Sequence, residues 1–262
     1  MDLQLAGRAF FVTGGSRGIG RGIVELLLTE GALVATCARD AARLERVRSS
    51  LPRDQRGRLL VQSADVRDAV AVSHAVDLAE QRFGRLDGVV ANAGAGAFGS
   101  ALDTPESTWN DQFEVKVGSV LNLVRPALKF LTQSDAARIL VINGITAHAP
   151  EADMAAVSAT RAAVASLTRS LALELAPSGV LVNAISLGAI VTDRQRDRYS
   201  AAETSQTYAE WCDAEALRRG VPLGRLGDAH EVAPAAALLL SPLASYVTGS
   251  SLDISGGAGG RT

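Results

Sequence analysis

Residues 13–20 read TGGSRGIG, and this octapeptide constrains the fold more than any other part of the chain. It follows the apolar run RAFFV and leads into a helix-like segment from about Gly18 to Glu30. A chain that leaves a strand there must turn tightly, bring its backbone close to a ligand and start a helix at once. Gly14, Gly18 and Gly20, in a GxxxGxG spacing, meet all three needs, with Ser16, Arg17 and Ile19 completing the loop. The helix start collects free N–H groups and the positive end of the dipole, so it favours an anion. Glycines alone also make ordinary turns. Their place between a strand and a helix makes a dinucleotide pyrophosphate the expected ligand.

The rest of the chain repeats that rhythm. ALVATCA, RLLVQSADV, LDGVVANAG, ARILVING, VLVNAISLG and SLDISGG are short apolar runs separated by helix-length segments. With the first run they predict seven strands in a parallel sheet covered on both faces. Long helices are expected over about 105–131 and 151–177. No repeat or linker divides the 262 residues, so one domain spanning 1–262 is expected. The polar stretch of about 191–226 breaks the rhythm and carries Tyr199, Tyr208 and Trp211. Insertions at the carboxyl end of a parallel sheet commonly cover the ligand crevice, so it is expected to act as a lid.

Composition narrows the partners. A net charge of −2 argues against nucleic acid. No apolar run suits a membrane span, and MDLQLAGRAFFVTGG lacks a signal-peptide layout, so a cytoplasmic protein is expected. Cys37 and Cys212 read as reduced thiols. His74, His148 and His230 are scattered, and no metal-site spacing exists.

The end of the second strand bears on the choice of cofactor. An NAD site usually places a carboxylate there, on the ribose 2′-hydroxyl. Here the sequence is Cys37-Ala38-Arg39-Asp40, with Ala38 in the carboxylate's place. Arg39, with Arg17 in the glycine loop, suits a 2′-phosphate, so NADP(H) is favoured over NAD(H). The alternative leaves Arg39 as a solvated charge and Asp40 as a helix cap.

Over essentially its whole length the chain resembles the short-chain dehydrogenase/reductase family. TGGSRGIG resembles that family's cofactor loop. Asp65 and Val66 resemble its adenine-contacting pair, and Asn92, Ala93 and Gly94 lie in ANAG, its motif after the fourth strand. LVNAISLGAIVTD resembles its stretch after the sixth strand, with Thr192 meeting the nicotinamide carboxamide. PLGRLGDAHEVA and YVTGSSLDISGG resemble its carboxyl-terminal signatures. The resemblance implies a Rossmann-type doubly wound sheet of order 3-2-1-4-5-6-7. It also implies a homo-oligomer, a dimer or tetramer, built on the two long middle helices.

The family's chemistry does not carry over. It uses a Tyr as acid or base, a Lys that tunes the Tyr and holds the ribose, a Ser on the substrate oxygen and an Asn in a proton relay. By resemblance those positions are Val157, Arg161, Gly144 and Lys116, and Leu187 stands where Pro is usual. Ser158 is one helical step from the lost Tyr and points elsewhere. Thr146, His148, Asp153, Met154 and Tyr199 fall where the family lines its substrate pocket. His148 and Asp153 are candidate acid/base groups, against plainer readings as a loop residue and a helix cap. Lys116 and Arg161 repel unless an anion lies between them, which suits an anionic or carbonyl small molecule. Lys116 could instead turn outward to Glu114. Three readings follow: a divergent NADP(H)-dependent oxidoreductase with another proton donor, a non-redox enzyme, or a non-catalytic subunit or nucleotide sensor with a homologous partner.

Overall fold

A computed structural model describes residues 1–259. The first half runs β1 (Ala9–Thr13), α1 (Gly18–Thr29), β2 (Leu33–Ala38), α2 (Ala41–Ser50), α3 (Arg53–Arg56), β3 (Leu59–Ser63), α4 (Ala69–Phe83) and β4 (Gly88–Ala91). The second half runs α5 (Glu106–Phe113), α6 (Ser119–Leu131), β5 (Arg138–Gly144), α7 (Ala155–Leu175), β6 (Leu181–Leu187), β7 (Ile190–Val191), α8 (Asp193–Ala201), α9 (Tyr208–Arg218), β8 (Gly227–Asp228), α10 (Ala229–Leu240) and β9 (Ser251–Ile254).

Seven strands form one sheet in the order β3-β2-β1-β4-β5-β6-β9, every pairing parallel. The expected strand order is therefore present. β1 and β4 are buried at every position, which is why they read as continuous apolar runs rather than alternating ones. Successive side chains still face opposite ways. Phe11 enters the core beneath α4, α6 and α7, whereas Phe10 enters the core beneath α1 and α10. Among the described residues no helix is long and apolar enough to cross a membrane.

Side-chain N-caps close α2, α4, α9 and α10. Asp40 caps α2 by accepting from the Arg43 amide at 2.8 Å, and Asp68 caps α4. Gly84 ends α4 at a φ of 71°, a conformation that favours glycine. α1 is among the helices without such a cap: its N-cap residue, Arg17, makes no side-chain capping bond and its first turn holds no acid.

Two helix expectations need correction. The segment expected as one helix over 105–131 contains a π turn at Glu114–Gly118, between α5 and α6, with Lys116 inside it. Such turns widen the backbone ladder and often occur at functional sites. The helix expected over 151–177 is shorter, because α7 starts at Ala155 with Met154 as its N-cap. Asp153 therefore lies before the helix and does not cap it.

The stretch 191–226 folds as α8 and α9 beside the small β7–β8 pair. Tyr199, Tyr208 and Trp211 pack together, with ring centroids 5.2–6.2 Å apart. Glu215 joins Arg198 of α8 to Arg218 and Arg219 at the end of α9. Burial opposes ionisation of Glu215, but the Arg218 hydrogen bond and the other guanidiniums outweigh it and hold the carboxyl at about 2. Its stabilising contribution is full above the ordinary carboxylate range and is lost as pH falls toward about 2. Glu215→Gln is expected to speed amide exchange across 193–218 while β1, β4 and β5 keep their protection, as read by hydrogen exchange.

Candidate active site

The carboxyl ends of β1, β2, β3, β4, β5 and β6 open onto one cleft of about 890 Å³. Every residue that the sequence nominates for the cofactor lines it: Gly14, Ser16, Arg17, Gly18, Ile19, Gly20, Arg39, Asp65, Val66, Asn92, Ala93, Gly94 and Thr192. The glycine loop is shaped by crowding. Gly14 and Gly18 have φ of 76° and 54°, and a side chain on Gly20 would strike the Gly14 carbonyl and the Asn92 amide. Asn92 donates to the Thr13 carbonyl at 2.8 Å, and the Thr13 hydroxyl accepts from the Asn92 and Ala93 amides at 3.0 and 3.1 Å. Asn92 thus ties the loop after β4 to the glycine loop. The uncapped amides of α1 start at the same loop, as a pyrophosphate site requires.

The adenosine end of the cleft is basic but not free of acids. Arg39 is exposed beyond β2, and Arg43, which the sequence did not single out, lines the cleft beside it. Arg17 faces Asp197 of α8 at 3.8 Å. Asp65 is gripped by Arg67 at 2.8 Å, and that hydrogen bond holds its carboxyl below the ordinary range.

Of the four family positions, Lys116 and Arg161 line the other end of the cleft, Gly144 and Val157 are buried behind it, and two of the four are coupled. Arg161 lines the cleft from α7, and its guanidinium lies where a side chain on Gly144 would begin. An added Cβ at 144 would overlap Nη1 and Cζ and stand 2.9 Å from Nε. A serine here would require the guanidinium to move, so Gly144 and Arg161 fit together as one exchange. Nη1 of Arg161 donates to Thr146 Oγ1 at 3.1 Å, and Asn143 donates to the Arg161 carbonyl at 3.0 Å. Burial, and after it Arg194, lowers Arg161 to about 10, so it remains a cation near neutrality. Val157 is wholly buried and offers no proton.

Lys116 turns inward. Its ammonium donates to the Ala95 carbonyl at 2.6 Å rather than pairing with Glu114. Burial, then Arg161 and Arg194, pushes it down to about 7. Arg194, from α8, was not legible in the sequence. It donates to the Gly94 carbonyl at 3.0 Å, so two cations hold adjacent carbonyls of one loop.

The remaining candidates disperse. Thr146 and Asp153 line a smaller pocket of about 340 Å³ that shares Arg161 with the cleft, and Met154 lines the cleft itself. His148 lines neither cavity, because its ring sits 3.2 Å from the Gly259 carbonyl and 3.4 Å from Asp253. Tyr199 lines neither, because it is held in the aromatic cluster and donates to the Gln206 carbonyl at 2.7 Å. Ser158 is buried on α7, and its hydroxyl has no partner among the described residues.

A glycine-cradled nucleotide cleft on a doubly wound sheet defines a dinucleotide-binding protein of the dehydrogenase type. Residues 14–259 match the family model described as enoyl-(acyl carrier protein) reductase. The 3-oxoacyl-[acyl-carrier-protein] reductase FabG of Salmonella typhimurium is 31% identical over 97% of this chain and 98% of its own. The chain belongs to the short-chain dehydrogenase/reductase family. It is also similar to a short chain oxidoreductase from Pseudomonas aeruginosa PAO1 that contains an atypical catalytic center. That apo structure is 41% identical with a TM-score of 0.92, over 97% of each chain. An NADPH-bound structure of a short chain oxidoreductase from that organism, also with an atypical catalytic center, is 40% identical. Its TM-score is 0.91, over 96% of this chain and 97% of that one.

Gly144→Ser is expected to cost about 1–3 kcal/mol by overpacking, and adding Arg161→Lys to recover part of it. A urea-melt double-mutant cycle should show coupling above about 0.5 kcal/mol. Lys116 loses its proton near 7 when folded and near 10.5 when unfolded, so native stability gains as pH rises between the two. Lys116→Met should therefore melt above wild type at about pH 6, with the gap closing by about pH 9.5.

Proposed function

We propose that this chain is an NADP(H)-dependent oxidoreductase acting on a carbonyl or alcohol compound, with a proton donor other than the family's tyrosine. One observation carries the reading. The uncapped, glycine-lined start of α1 opens onto the same cleft as Arg39 and Arg43. That cleft offers N–H groups for a pyrophosphate and guanidiniums for a 2′-phosphate in the order a dinucleotide requires. The similarity to the NADPH-bound oxidoreductase supports it. The cofactor supplies or accepts a hydride when bound. Gly14, Ser16, Gly18, Ile19 and Gly20 cradle its phosphates, Arg39 holds the 2′-phosphate, and Asp65 and Val66 bound the adenine. Asn92, Ala93, Gly94 and Thr192 hold the nicotinamide half. Arg161 keeps the charge of the lysine it replaces.

The stretch 191–226 belongs to the same proposal as a lid. Arg194 on the Gly94 carbonyl supports this, as does the Arg219–Glu151 pair at 2.8 Å. A homo-oligomer joined through the middle helices is supported by Phe113 and Leu173, large apolar side chains left exposed there. The complete burial of Val157 favours a second reading, in which the chain binds the nucleotide without turnover.

Fluorescence titration with NADPH and NADH tests the proposal. Wild type should bind NADPH about 10- to 100-fold more tightly, and Arg39→Ala should remove that preference. Failure to bind either nucleotide would end the reading. Tight binding with no oxidation of NADPH across a broad carbonyl panel would select the second.

A further inference from the structure

Lys116, Arg161 and Arg194 reach the cleft from three separate elements: the π turn, α7 and α8. Each uses few of its donors. Among the described residues, Lys116 donates only to the Ala95 carbonyl, the Arg161 guanidinium only to Thr146 and the Arg194 side chain only to the Gly94 carbonyl. An ammonium carries three N–H groups and a guanidinium five, so most of the set is unspent.

Among the described residues no carboxylate forms an ion pair with Lys116, Arg161 or Arg194, although Glu151 favours the Arg161 cation electrostatically and Asp153 lines the smaller pocket with it. Asp65 is taken by Arg67 and Glu151 by Arg219. Asp40 caps α2, and Asp111 and Glu114, on the same helical stretch as Lys116, act on Arg67. Asp193, at the start of α8, is exposed. Lys116 is disfavoured as a cation by burial and then by Arg161 and Arg194, and Arg161 by burial and then by Arg194, with Glu151 offsetting part of it. Repelling cations with open donors are a poor structural device and a good anion receptor.

We propose that Lys116, Arg161 and Arg194 bind a carboxylate, and that the substrate is a small carbonyl compound that carries one. This rests on the oxidoreductase reading above. A carboxylate offers about four lone-pair sites on a flat fork, which matches donors arriving from several directions. Arg161 also forms part of the wall of the smaller pocket, where Ile145, Ala149, Leu187, Ala189 and Val221 supply apolar surface for the rest of such a molecule. Glu151 and Arg219 neutralise each other at that wall.

The test is calorimetric titration of oxamate, a stable mimic of a 2-oxo acid, into wild-type protein saturated with NADPH at about pH 8. Two buffers of different ionisation enthalpy report proton uptake. Saturable binding is expected, with a proton taken up as Lys116 becomes charged against the carboxylate. Lys116→Met and Arg194→Gln should each weaken it by about 10-fold or more. Lys116→Arg should keep the binding and lose the proton uptake, which a merely structural lysine would not do. Uncharged lactamide should not bind.

Equal binding in wild type and both charge-removing variants, or equal competition by chloride, would overturn the proposal. So would oxamate that binds only when NADPH is absent, since the cations would then hold a cofactor phosphate. If NADPH itself fails to bind, the oxidoreductase reading falls. Oxamate titrated into the nucleotide-free protein then decides the anion site alone, and no binding there overturns it.

Discussion

The cleft depends on a close approach that side chains would forbid. At the end of β1 the chain reverses through Gly14, and the first turn of α1 returns against it at Gly20 with no room for a Cβ between them. The Asn92 amide fills the remaining space and bonds back to Thr13. This contact joins β1, α1 and β4 at one point, so the strand ends and the helix start cannot move apart independently. It also leaves the first amides of α1 uncapped, whereas α2 and α4 close theirs with Asp40 and Asp68. An open helix start is tolerable where an anion completes it.

At the other end of the cleft the same logic of space recurs with different residues. The family's lysine and serine are replaced here by Arg161 and Gly144, and the larger guanidinium occupies volume that the glycine vacates. What looks in sequence like two separate losses is one steric exchange. It has an electrostatic result. A bulkier, permanently charged group now lines the cleft beside Lys116, in a π turn that directs the ammonium to the Ala95 carbonyl. Arg194 arrives from above on the neighbouring carbonyl. Where the family's pattern relays protons through the hydroxyls of a Tyr and a Ser, this cleft gathers Lys116, Arg161 and Arg194.

Much of the fold was legible from residue pattern. Apolar runs without alternation, as at Phe10–Val12 and Val89–Val90, mark strands covered on both faces, and the chirality of parallel crossovers leaves few strand orders. The glycine loop was legible because its chemistry needs consecutive backbone features, and those lie next to one another in sequence. The long helices were read correctly in existence but not in detail. A π turn at Glu114–Gly118 and a helix start at Ala155 rather than 151 leave no periodic signature. His148 and Tyr199 show the same limit, since each was placed near the chemistry by position along the chain and lines neither cavity, whereas Asp153 does reach the pocket beside Arg161. The fold turns His148 toward Gly259, leaves Asp153 ahead of its helix and locks Tyr199 among Tyr208 and Trp211.

By itself, then, the sequence determined the sheet, the nucleotide loop, the basic end of β2 and the loss of the family's proton-transfer groups. Those properties are set by residue type and by neighbours a few positions away. Tertiary structure alone decided that Gly144 makes room for Arg161, that Lys116 points inward and that Arg194 closes the cationic set from an insertion nearly eighty residues beyond Lys116. Contacts of that kind depend on which volumes are empty when distant elements pack, and interiors pack too tightly for local propensity to foretell it.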